Sequence, residues 1–397
     1  MTTRTPRRWA IVAPAAALVL AALCLRAPFS AVGPVLDDLG DEESLSTGAL
    51  ALVTALPLVC FGLVSPFAPA LASRVGVHRA VVLGMAALAV GITLRLGGAV
   101  GLFAGTVLLT GGIAIVNVLV PAAARSEYGS RSAVVVGMTT ASMAASASAG
   151  AGLAQPFASL GGSARIGLLL WLAPVVAALV AVAVLAHARR GAPLPQTTAP
   201  VSRTAILRDP VALAVTLFFG FQSLLFYSIL TWLPAILEAR AGISPVAAGA
   251  LVALAAVLGA PASLVVPPLA VRRPGQVGWI IAVSLPPAVG IVGLLVAPDA
   301  APVVWALLLG TGTGAAFPLA MTLVLQRTRD VAQTGRLSAS AQSIGYLIAA
   351  TGPLGVGLLH EATDGWTAAL VLLLAVLLLQ TLIGVAAGRD RLVGASA

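Results

Sequence analysis

Twelve apolar runs, each long enough to cross a lipid bilayer, constrain this 397-residue chain more than any other feature. A hydrocarbon layer of ~30 Å is spanned by about 20 residues at 1.5 Å rise each. Runs of that kind extend from Trp9 to Leu36, Ser46 to Ala72, Ala80 to Leu96, Gly98 to Ala124, Ser132 to Ser159 and Arg165 to His187. They resume from Val211 to Leu237, Pro245 to Val271, Val277 to Ala297, Pro302 to Leu325, Leu337 to His360 and Trp366 to Ala387. A large β-barrel would show short segments of alternating polarity instead, and nothing alternates here. The expected fold is an all-α membrane protein with twelve transmembrane helices, with the lipid bilayer as its first partner. The Arg-rich start before Trp9 has the look of a secretory or twin-arginine signal. The apolar run behind it outlasts a signal-peptide core and has a counterpart in the second half, so it is read as a span.

A formal net charge of +9 invites a nucleic-acid reading. Such binders need dense basic patches on a solvated surface, whereas 59% of this chain is hydrophobic and 9% charged, so no nucleic-acid partner is expected. The basic residues report topology instead. With twelve spans and both termini on one side, that side holds all of the 22 arginines except Arg26, Arg95, Arg165 and Arg240. The positive-inside rule then puts both termini in the cytoplasm, in the inner or plasma membrane of a cell read as bacterial. Every basic residue is Arg, which excludes a Walker A or Schiff-base lysine and argues against ATP-driven transport. His78, His187 and His360 fall at span ends, and Cys24 and Cys60 lie in apolar runs as small core residues. No intramembrane catalytic or metal constellation results, so no enzyme and no cofactor is expected.

The two halves repeat. Gly48, Leu63 and Pro66 align with Gly249, Leu264 and Pro267 at an offset of 201, Pro34 aligns with Pro234 at 200, and Gly152 with Gly357 at 205. A six-plus-six organisation follows: an N-terminal six-helix bundle over 1–187, a Pro/Thr/Arg-rich cytoplasmic linker over 188–210, and a C-terminal six-helix bundle over 211–397. Gly and Ala fill Ala141 to Gly152, and Gly310 to Gly314 forms a Gly-x-x-x-Gly, which points to closely approaching backbones. Prolines lie inside many spans, where each frees a carbonyl and favours a kink.

Chemistry must come from the few polar residues inside the spans, because an ionisable group in hydrocarbon is costly and usually turns toward a cavity or a partner. Arg26 is the sharpest of these. It lies 17 residues beyond Trp9, about 25 Å along a helix, with ten uncharged residues before Asp37, which places it between the midplane and the outer face. The bland alternative is snorkelling. An Arg at that depth with no acid near it in sequence points to an anionic or strongly hydrogen-bonding ligand. Arg95 sits at the outer end of the third span, where an interface anchor or an ion-pair partner for an outer acid fits as well. No Asp or Glu lies centrally in any span, so the coupling ion stays open, with a proton as the candidate. His360 at a helix end reads as an interfacial hydrogen-bonder. Neutral polar groups cluster in the other spans: Gln222, Ser223, Tyr227 and Ser228 in the seventh, Gln342, Ser343 and Tyr346 in the eleventh, and Asn117 in the fourth. Singly they read as helix-to-helix hydrogen bonds; as a set over both halves they fit a central cavity.

Four stretches carry a family resemblance: Leu25-Arg26-Ala-Pro28 leading to Val32-Gly-Pro34; Phe219-Gly-Phe-Gln222-Ser-Leu-Leu-Phe-Tyr227 ending in Trp232-Leu-Pro234; Phe317-Pro-Leu to Arg329-Asp330; and Ala341-Gln342-Ser-Ile-Gly-Tyr346 to Leu359-His360-Glu361. Together they resemble the cyanate/nitroimidazole transporter-like branch of the major facilitator superfamily. The resemblance implies two six-helix bundles working by alternating access, with helices 1, 4, 7 and 10 and their neighbours lining the cavity. It makes Arg26, Asn117, Gln222, Tyr227, Gln342 and Tyr346 the substrate-binding candidates and Arg95 peripheral. The loop between helices 2 and 3 departs from the wider superfamily. Arg74, Gly76 and Arg79 remain recognisable as a gating loop, but Ser73 stands where an Asp is expected and Val77-His78 where basic residues are expected, which puts the gating charge pair in doubt. The implied function is a secondary active transporter, acting as a monomer, for a small, anionic or polar organic solute, cyanate-like or nitroimidazole-like. Export of a drug-like aromatic by the same fold is the alternative, and a non-transporting receptor the remote one.

Overall fold

The structure is a computed structural model that describes residues 8–189 and 206–394; most of the expected linker therefore lies outside the described residues. All regular structure in them is helical. Among the described residues, twelve helical segments are long and apolar enough to cross a membrane. Large apolar side chains face outward along them, Val100, Leu160, Leu358 and Leu382 among the most exposed, as a lipid-facing surface requires.

The chain divides into two compact units, 1–198 and 199–397. In the first, α1 (Arg8–Leu23) and the short α2 (Ala27–Ser30) share the first span, and α3 (Leu36–Glu43) follows it. Next come α4 (Thr47–Val64) and α5 (Ala68–Val75), which share the second span, then α6 (Val77–Leu94), α7 (Gly98–Tyr128) and α8 (Ser132–Gly161). The sixth span is divided into α9 (Ala164–Leu169) and α10 (Leu172–Ala188). The second unit holds six uninterrupted helices: α11 (Pro210–Ala241), α12 (Pro245–Ala270), α13 (Val277–Val296), α14 (Pro302–Gln326), α15 (Val331–Thr363) and α16 (Thr367–Ala387).

The repeat is visible in the capping. Ser46 and Ser244, 198 residues apart, each accept a backbone N–H three residues on and so start α4 and α12, which open the second span of their unit. The small residues do what the sequence suggests. A Cβ on Gly91 would stand 2.5 Å from the Leu109 nitrogen, and one on Gly112 would stand 2.4 Å from the Gly84 carbonyl, so α6 and α7 meet backbone to backbone. Gly310 and Gly314 press α14 onto Ala255 and Gly259 of α12 in the same way.

Prolines inside α7, α8, α11, α12, α13, α14 and α15 leave those helices continuous. The first span is different. Residues 24–26 leave the α-helix, and Pro28 restarts it in the first turn of α2, where a missing N–H is tolerated.

Candidate functional site

Arg26 occupies this break. Its backbone is the N-cap of α2, with φ −115° and ψ −41°, and its own side chain caps nothing there. The freed donors go instead to Ser146 on α8, whose hydroxyl accepts the Ala27 N–H at 2.8 Å and the Arg26 N–H at 3.3 Å. The half-buried guanidinium lies 5.7 Å from the ring centroids of both Phe29 and Phe61, and those rings pack edge to face at 5.9 Å. The cation thus sits in the corner of an aromatic pair, an arrangement that holds it by attraction to the π faces.

Arg95 is neither an interface anchor nor paired with an outer acid among the described residues. It is 1% exposed; its guanidinium donates to the Pro28 carbonyl at 2.7 Å and to the Thr106 hydroxyl at 3.1 and 3.2 Å. The acids Glu42 and Glu43 engage Arg165 instead. The sequence signal for this arrangement is Pro28, two residues beyond Arg26: a ring there removes a helix donor and favours a break, and a broken helix requires side-chain partners.

Asn117 is buried midway along α7. In the second unit, Gln222 on α11 and Tyr346 on α15 each contact Phe219, one at its backbone and the other at its ring. The Gln222 amide donates to the Phe219 carbonyl at 3.1 Å and to the Ser223 hydroxyl at 2.6 Å, and the Phe219 ring meets Tyr346 edge-on at 5.4 Å. Gly220 and Gly345 allow this, since a Cβ on either would crowd the opposite helix. Gln342 donates to Ser338 on its own helix at 3.0 Å. Tyr227 is half-buried and packs on Phe226 at 5.3 Å. The acceptor oxygen of Gln222 is buried with no partner among the described residues, which leaves it available to a donor. His360 lies flat on Trp366, with ring centroids 3.8 Å apart and planes 8° apart, a contact its sequence position does not indicate.

At the loop between the second and third spans, Gly76 has φ +90° and ψ 151°, a conformation for glycine, while Arg74 and Arg79 are exposed. His78, which stands where a basic residue is expected, meets an acid here. His78 Nε2 lies 2.9 Å from Glu127, which also takes the Arg189 guanidinium at 2.6 and 2.9 Å. That bond raises the Arg189 pKa. The second unit repeats the cluster with the charges exchanged: Gln276, Arg327 and Asp390 stand at offsets of 198, 200 and 201 from His78, Glu127 and Arg189. Arg327, 1% exposed, is bonded to the Gln276 side chain and to the carbonyls of Pro274, Ala387 and Gly388, with Asp390 at 3.8 Å. Burial lowers its pKa and Asp390 opposes the shift.

Known proteins match this architecture. The 2-nitroimidazole transporter of Escherichia coli (strain K12) is 35% identical over 377 residues, covering 95% of each chain. The cyanate transport protein CynX of the same organism is 29% identical over 351 residues, covering 88% of this chain and 90% of its own. Among solved structures, the proton:xylose symporter XylE bound to 6-bromo-6-deoxy-D-glucose superposes with a TM-score of 0.74 at 12% identity, covering 98% of both chains. The model of the Major Facilitator Superfamily matches residues 18–353. With its twelve spans, its doubled six-helix plan and that match over most of its length, the chain belongs to the major facilitator superfamily.

Proposed function

We propose that the chain moves a small, anionic or polar organic solute, cyanate-like or nitroimidazole-like, with Arg26 as the anion anchor. As a member of this family with twelve spans it is a multi-pass inner-membrane transporter of a small molecule. The observation that carries the finer reading is the break in the first span, which puts a guanidinium at an interrupted helix inside the apolar zone. Interrupted membrane helices are a recurrent place for ligand-binding groups in transporters, and here the group at the interruption is the Arg26 guanidinium. The names of the nitroimidazole and cyanate relatives support the solute class. In this reading Asn117 belongs to the same path, and Gln222, Tyr227, Gln342 and Tyr346 serve the solute from the second bundle. Arg74, Gly76 and Arg79 form the gating loop. Transport runs by alternating access in a monomer, and a proton is the coupling ion.

Proteoliposome uptake of cyanate, nitrate, 4-hydroxybenzoate and 2-nitroimidazole under separately imposed pH, sodium and voltage gradients tests this reading. Accumulation of at least one solute that follows the pH gradient is expected. Accumulation that ignores every gradient contradicts it. The aromatic group of Phe219, Phe317 and Tyr346 favours one second reading, export of a drug-like aromatic. Running the same panel from inside to outside separates the two.

A further inference from the structure

A helix that breaks inside a membrane frees N–H and C=O groups that water does not reach, and they need partners from elsewhere in the protein. In the first span, donors and acceptor alike are met by side chains of other helices. Ser146 on α8 takes the N–H groups of Arg26 and Ala27. Arg95, at the end of α6, takes the Pro28 carbonyl while its other nitrogens rest on Thr106 of α7. Both residues are buried, at 2% and 1% exposure. A second contact fixes the same segment: the Ser30 hydroxyl donates to the Ala147 carbonyl at 3.0 Å, and α2 lies so close to α8 that a Cβ on Gly150 would fall 2.7 Å from Ala27. Packing alone does not call for a buried guanidinium at this position. An apolar side chain would cover α7 and avoid the desolvation of a charge, but it would leave the Pro28 carbonyl unmet.

We propose that Ser146 and Arg95 are positioning residues for substrate binding, which hold the donor and acceptor groups of the break and so fix where the Arg26 guanidinium stands. The inference rests on Arg26 being the substrate anchor. Rewinding or slipping of α2 by one residue would turn Arg26 about 100° around the helix axis, out of the corner formed by Phe29 and Phe61. The two long-range bonds prevent that slip without touching the solute.

The test uses the purified full chain in proteoliposomes with radiolabelled cyanate and 4-hydroxybenzoate, comparing wild type, Arg26→Ala, Ser146→Ala, Ser146→Thr, Arg95→Met and Arg95→Lys. For the transported anion, Ser146→Ala and Arg95→Met are expected to raise KM about tenfold with kcat within about twofold. Ser146→Thr and Arg95→Lys, which keep the hydroxyl and the charged donor, are expected to restore most of the affinity. If Arg95→Met does not fold, the Ser146 pair decides. Loss of transport in Arg26→Ala with unchanged KM in Ser146→Ala overturns this inference alone. A fall in kcat at constant KM, without rescue by threonine, also overturns it by pointing to a purely structural role. Wild-type transport by Arg26→Ala overturns the anchor reading beneath it, as does failure of the wild type to transport any of the four solutes named above.

Discussion

The hydroxyl of Ser146, on the fifth span, accepts the N–H of Ala27, 119 residues away on the first, at 2.8 Å. This bond explains how a chain with so little polar surface tolerates an interrupted helix in its apolar zone. The first span is interrupted at residues 24–26, the last of them Arg26, and again after α2 at residues 31–32.

Pro28 is the local cause of the break, because its ring excludes the carbonyl four residues back and it supplies no N–H. Pro28→Ala lets α1 run on into α2. Uptake is expected to fall at least about tenfold through misplacement of Arg26, while the midpoint of thermal unfolding in detergent holds or rises. Wild-type uptake by this variant would show that the break is incidental.

The number of spans, their division between two units and the presence of Arg26 inside the first span were legible in the sequence because hydropathy and charge are local properties. The partners of Arg26 and Arg95 were not. Ser146 lies in a run of small residues where nothing marks it off from Ser142 or Ser148, and only the register of α2 against α8 selects it. Arg95 does stand at the end of its helix, a position readable from the sequence, whereas its partners Pro28 and Thr106 are set by packing. Likewise His78 reads as a lost base until Glu127 is seen beside it.

Two glycines on α8 separate close packing from mere helix composition. A Cβ on Gly150 would stand 2.2 Å from the Ser30 hydroxyl, whereas nothing lies within 4 Å of one on Gly152. Gly150→Ala is expected to destabilise the protein by about 1–3 kcal/mol. Gly152→Ala should be neutral or stabilising by up to about 1 kcal/mol. Thermal unfolding of both variants in one detergent checks the contrast.

Arg327 donates to three carbonyls and the Gln276 side chain from a buried position, while Asp390 is two-thirds exposed at 3.8 Å. Arg327→Ala is expected to cost about 3–5 kcal/mol, since it strands several buried acceptors. Asp390→Asn is expected to cost no more than about 0.5 kcal/mol after solvent screening. Equal losses from the two would mean that the ion pair, and not the carbonyl set, holds the helix ends.

At Gly76 the backbone has φ +90° and ψ 151°, which a side chain strains by about 1–3 kcal/mol. Gly76→Ala is therefore expected to lower the unfolding midpoint and to slow uptake at saturating solute, while KM stays near the wild-type value. A raised KM at unchanged maximal rate would place this glycine in binding and not in gating.

The central claim is that Arg26 anchors an anionic solute. Its most direct measurement is uptake by purified Arg26→Ala and Arg26→Lys in proteoliposomes, each checked for helical content and monodispersity. Loss of accumulation in both variants, with intact folding, is the predicted result, because a lysine lacks the planar fork that binds an anion through two parallel bonds. Wild-type accumulation by both would contradict the account.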